Sequence, residues 1–276
     1  MADAVADEPP REQAEKGLAK PLASLRAAAP GGLGRRFGLA YFVLAIVFGA
    51  AVGFFVIFLQ EPSTTKSAAI WSPWKPSARG LEAAQQIATH VARRYRLSGG
   101  EPLVDVLAGA PQLLNDVPIT AVQIRSGFAD QRVEDVKFYR TTRSVLFQLC
   151  GRGQECAISG KASVARARLL RAEILELSLY AFNYVSDIDS VIALAPPTFL
   201  PPDTQPVRTA IFLRKHDVMP ELDVPLARTV PQRVLSPGAL PTTVERAIDR
   251  LHLLESQFQS LQDGTAMLVL SPMAST

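Results

Sequence analysis

Apolar side chains return every three or four positions in three stretches, and each such stretch predicts an amphipathic helix. The first follows Pro76 with Ser77 in the N-cap position, and sets Leu81, Ala84, Ile87, Val91 and Tyr95 on one face before Ser98-Gly99-Gly100. The second runs from about Ala162 to Val185, with Val164, Ala167, Leu170, Ile174, Leu177 and Ala181 in phase. In the third, Thr242-Thr243-Val244-Glu245 reads as a capping box behind Pro241; Ile248, Leu251, Leu254, Phe258 and Leu261 share a face, and Gly264 closes the helix.

Between these helices lie runs rich in Val, Ile and Phe that read as strands: Ile119–Arg125, Val136–Leu149, Cys156–Ser159, Ser190–Ala195, Arg208–Arg214 and Ala266–Leu270. Leu103–Leu107 fits a strand or a short helix equally well. The order predicts an α+β domain in which a mixed or antiparallel sheet packs against about three helices. Two proline-rich stretches interrupt it. Ala195 to Pro206 reads as a stiff connection between strands. Asp217 to Pro241, with five prolines and no helical period, reads as an extended strap laid over the sheet by Leu222, Val224, Leu226 and Val230.

One apolar run has no polar phase at all. Phe37 to Leu59 is 23 residues without a charge, and at ~1.5 Å per residue a helix of that length covers the ~30 Å core of a bilayer. Its length, and Gln60-Glu61-Pro62 behind it, favour an uncleaved anchor over a signal peptide. Lys20, Arg26, Arg35 and Arg36 precede the run while Lys66 and Lys75 follow it, so residues 1–36 are expected in the cytoplasm and residues 60–276 outside. Residues 1–36 are polar and proline-rich and read as a disordered tail, 60–76 as a tether, and 77–276 as one exported domain. Within the span, Gly49 and Gly53 form G-x-x-x-G, a face on which two copies of the helix can pair.

Charge and chemistry narrow the functional classes. Outside the span and tail, 23 Lys/Arg face 21 Asp/Glu, which is too even for a nucleic-acid partner. Both cysteines, Cys150 and Cys156, stand in LCGRGQECAI; on the exported side the simplest reading is a structural disulfide. His90, His216 and His252 have no zinc spacing, and five residues between the cysteines suit a redox pair poorly. Neither Gly160-Lys161-Ala162-Ser163 nor Ser63-Thr64-Thr65-Lys66 completes a phosphate loop or a serine-enzyme motif, and no cofactor is implied.

Two weaker constellations remain. Asp187 and Asp189 can hold a hard cation or serve as turn residues between helix and strand. Arg168 and Arg171 fall beside the apolar side of the second helix near its N-terminal half, against the macrodipole, and either pair with carboxylates such as Asp105 or Asp187 or face a groove for an anionic ligand or partner segment. The leading expectation is a single-pass envelope protein whose exported domain binds another envelope component or itself, without chemistry of its own. The alternative is an envelope hydrolase or transferase acting on cell-wall polymer or peptide.

Overall fold

The computed structural model describes residues 42, 44–49, 70–113, 115–126, 136–199 and 206–273. The chain divides into two compact units, Met1–Lys66 and Ser67–Thr276. In the first, Phe42 and Leu44 to Gly49 are helical and exposed. The remainder of the expected span, including Gly53 of the glycine pair, lies outside the described residues, as does the expected disordered tail. Among the described residues no helix is long and apolar enough to cross a membrane.

The second unit is α+β with a mixed sheet. It contains α1 (Gly80–Ala92), β1 (Asp105–Gly109), β2 (Ile119–Arg125), β3 (Val136–Arg140), β4 (Ser144–Cys150), α2 (Val164–Tyr184), β5 (Ser190–Leu194), β6 (Thr198–Phe199), β7 (Pro206–Val207), β8 (Thr209–Arg214), α3 (Met219–Leu222), α4 (Leu226–Thr229), α5 (Thr242–Ile248), β9 (Leu254–Ser260) and β10 (Ala266–Pro272). Eight strands join in the order β1-β4-β5-β8-β9-β10-β2-β3, while β6 and β7 form a small ribbon inside the first proline-rich connection.

The sheet is two half-sheets with the same pairing pattern. In β1-β4-β5-β8 the central pair is parallel and both flanking pairs antiparallel, and the same holds in β9-β10-β2-β3. The parallel pair of the first half is joined by α2, since parallel neighbours need a long crossover and a helix supplies it. Between the halves the joint is short: β8 meets β9 only through Thr209 opposite Glu255 and Ala210 opposite Leu254. Beyond Ala210 the two strands part.

The two faces of the first half-sheet are buried against different layers. Val145, Phe147, Val191 and Ile211 pack under α1 and α2, whose Ile87, Val91, Ile174 and Leu177 are wholly buried. Leu146, Ile192 and Ala210 instead share a second core with Ile119, Val122, Leu268 and Leu270 of the other half-sheet. Strands buried on both faces lose polar alternation, which is why β5 reads as a continuous apolar run.

Several expected elements move. The third helix stops at Ile248, with Pro241 at its N-cap and no side-chain capping bond; residues from Leu254 onward form β9, and Gly264 turns the β9–β10 hairpin at φ +81°. Leu254 and Phe258, four residues apart, suit either period, and pairing of β9 with β10 along its whole length decides for the strand. The predicted strand Val136–Leu149 breaks at Thr141-Thr142-Arg143 into β3 and β4, and Cys156–Ser159 is not a strand. The first helix begins at Gly80 rather than behind Ser77, whose hydroxyl and amide both donate to Gln86 Oε1, and Leu81 is exposed. The strap from Asp217 is folded into α3 and α4, and its buried Leu226, Val230 and Leu235 join the α1–α2 core.

Candidate functional site

The two cysteine sulfurs lie 2.09 Å apart, at disulfide distance. They close a loop at the end of β4 rather than a pair of strands. The Gly151 amide donates to the Cys156 carbonyl and that of Gly153 to Ala157, while Glu155 and Cys156 take positive φ. A Cβ on Gly151 would fall 2.2 Å from the Ala157 carbonyl oxygen. The closeness of the loop therefore requires this glycine.

Asp187 and Asp189 behave as turn residues. Asp187 stands at φ +62°, its carbonyl accepts from Arg143 Nε at 3.0 Å, and Asp189 faces the same guanidinium at 3.6 Å. Among the described residues no cluster of three or more His, Cys, Asp or Glu is arranged to hold a metal. Arg168 pairs on the surface with Glu245 at 3.4 Å, neither with Asp105 nor with Asp187. Asp105 meets Arg152 instead. Arg171 points its Nη1 at the Leu251 carbonyl, 3.5 Å away, and its Nε is buried without a hydrogen-bond partner. Arg168 thus meets α5 at the surface, and Arg171 supports the segment that enters β9.

A polar cluster lies inside the helical layer. Arg94, just past α1, bonds to Glu176 and to the Pro231 carbonyl, and the Tyr95 hydroxyl donates to Glu176 Oε2 at 2.8 Å. Glu176 is fully buried, so this network ties α1, α2 and the strap together. Burial pushes the Tyr95 hydroxyl well above its usual range. One turn earlier Glu173 is equally buried, yet neither carboxylate oxygen has a partner. Burial, and next the nearby charge of Asp105, push its carboxyl well above the usual range.

Beside this cluster, residues ahead of α1 build an aromatic corner. Trp74 stacks on His90 with centroids 3.9 Å apart and planes 2° from parallel, and both rings stand edge-on to Tyr180. Ser72 bonds the Tyr180 hydroxyl at 2.7 Å, and the Trp71 carbonyl accepts from the Leu226 amide. His90 is therefore a packed residue, its pKa lowered first by burial and then by Arg94 and Arg93. Its Nε2 is buried without a hydrogen-bond partner among the described residues. His252 is exposed between α5 and β9 rather than on a helix face, and His216 sits beside Arg214 and Asp217 at the end of β8.

The parting of β8 from β9 leaves a cleft of about 740 Å³. Its walls are largely apolar, and Phe212, Leu253 and Leu254 are partly exposed in them. Four charged residues line it: Arg125 at the end of β2, Asp217 after β8, Glu221 in α3 and Arg250 after α5. Glu221, 8 % exposed, bonds Arg250 through Oε1 and leaves Oε2 buried without a partner; Arg125 Nε is buried and unpartnered as well. An unmade bond at a buried polar atom costs on the order of 1–3 kcal/mol.

Sequence reasoning missed this cleft. Arg125 ends a correctly read strand, Glu221 lies within the strap, and Arg250 lies just past the helix stop. No spacing links them, because the sheet's order brings β2 and β8 to the same wall only through β9 and β10. Comparison of the chain with family models, with curated proteins and with solved structures finds no match.

Proposed function

We propose that the chain is a single-pass membrane-anchored envelope protein whose exported domain is a binding module for another envelope component, non-catalytic itself. The observation that carries the binding part is the cleft between the half-sheets. It has a largely apolar lining and, in Arg125, a cation without an ion pair or hydrogen bond among the described residues, the composition of a recognition site. The envelope part rests on the uncharged run Phe37–Leu59, the basic residues ahead of it and the Cys150–Cys156 pair.

The test has two stages. Intact cells producing the full chain are treated with a membrane-impermeant maleimide before and after reduction; labelling only after reduction is expected. Mild crosslinking in membranes followed by co-purification should then return a recurrent envelope component, crosslinked to residues bordering the cleft. Labelling confined to lysed cells, or no recurrent component, overturns the reading.

A further inference from the structure

We propose that the cleft between β8 and β9 binds an amphipathic anion, a single apolar chain ending in a carboxylate or phosphate, with the chain along Phe212, Leu253 and Leu254 and the oxyanion at Arg125. This inference rests on the reading of the domain as a binding module and names the chemistry of what it takes.

The cleft volume of about 740 Å³ lies within the ~300–1,000 Å³ typical of small-ligand sites. Where β8 leaves β9 after two residue pairs, Phe212, Leu253 and Leu254 line the cleft and stay partly exposed. The charges decide the sign of the ligand. Asp217 is held by Arg214 and His216, and Glu221 by Arg250. Arg125 makes no ion pair or hydrogen bond among the described residues, and its Nε is buried. Among the described residues it is the uncompensated cation of the wall. A guanidinium held at the edge of an apolar cleft selects a carboxylate or phosphate oxygen over a neutral head.

The experiment uses the full-length chain in phosphatidylcholine nanodiscs and a dodecanoate carrying a photoactivatable diazirine. After irradiation, labelled peptides are expected from β8 and from the segment entering β9. Dodecanoate and dodecyl phosphate should compete with the probe and dodecanol should not. Arg125→Gln should weaken labelling by roughly tenfold or more, the loss of one charge-assisted hydrogen bond. Leu254→Trp, which fills the cleft and leaves Arg125 in place, should abolish it, with urea unfolding confirming that both variants fold. Competition by dodecanol equal to that of dodecanoate, unchanged labelling of R125Q, or an unlabelled cleft each overturns the proposal. Inorganic phosphate competing as well as dodecanoate does so too, since the site would then serve a free anion. If the probe fails while crosslinking still recovers an envelope component at the domain, the binding module stands and only its ligand class falls.

Discussion

The rings of Tyr139 and Phe212 lie 5.1 Å apart with planes tilted 38°, although their strands, β3 and β8, are four places apart in the sheet. At ~4.8 Å per strand a flat sheet would separate them by roughly 19 Å. The sheet therefore curls until its last strand lies over its middle. Arg214 adds to the contact, its guanidinium 5.2 Å from the Tyr139 ring centre. The curl produces the second core, and with it the shape of the cleft.

A double-mutant cycle measures that closure directly. Tyr139→Leu and Phe212→Leu should each lower stability, and the pair should show a coupling of about 0.5–1.5 kcal/mol, the range for an aromatic contact. Urea unfolding of the four proteins is the measurement. A coupling near zero would mean that β3 does not close over β8 in solution.

How far the sequence reveals this fold depends on where the stabilising contact is made. α2 is legible because Leu170, Ile174, Leu177 and Ala181 repeat along one continuous segment. β2, β5 and β8 are legible from their local composition. β9 is not, since Leu254 and Phe258 satisfy a helical as well as a strand period, and the partner that decides, β10, follows the hairpin. The cleft is less legible still: Glu221 and Arg250 meet only after the strap folds back, and Arg125 comes from the opposite half-sheet. The cysteine loop is the contrary case, a site contained within seven consecutive residues.

Replacing both cysteines by serine should cost about 2 kcal/mol, the chain-entropy value for a loop of this size. The effect should be confined to the end of β4, where Gly151 and Gly153 bond back to the far side of the loop. Gly151→Ala should be more disruptive than Gly153→Ala, since its Cβ would meet the Ala157 carbonyl oxygen at 2.2 Å against 2.7 Å. Hydrogen exchange around residues 148–158, together with urea midpoints, checks both statements.

Trp74→Ala should return His90 toward its ordinary titration. In the native domain burial is the leading cause of its lowered pKa, and the stacked indole supplies much of the cover. Because the folded value lies below the unfolded 6.5, the folded state binds the proton less readily, and the stability that neutral His90 contributes is lost as pH falls from 6.5 through the folded value. The imidazole resonance of the full chain should titrate higher in W74A than in the parent. An unchanged midpoint would assign the shift to Arg94 and Arg93.

Glu173 and Glu176, three residues apart and both fully buried, should answer substitution in opposite ways. Glu176 carries Arg94 and Tyr95, so Glu176→Leu strands a largely buried guanidinium and should cost about 3–5 kcal/mol. Glu173 has no partner to strand, and Glu173→Leu should be neutral or stabilising. The pH dependence follows with the sign set by the raised pKa of Glu173. Above the ordinary 4.5 the unfolded chain has released this proton while the folded domain still holds it, so the folded state binds more protons and stability falls as pH rises through that window. Urea unfolding of the parent between about pH 5 and about pH 8 should show this decline superposed on the His90 effect, and E173Q should remove it while leaving the acid-side loss due to His90. A decline that persists unchanged in E173Q would place the titrating group elsewhere in the core.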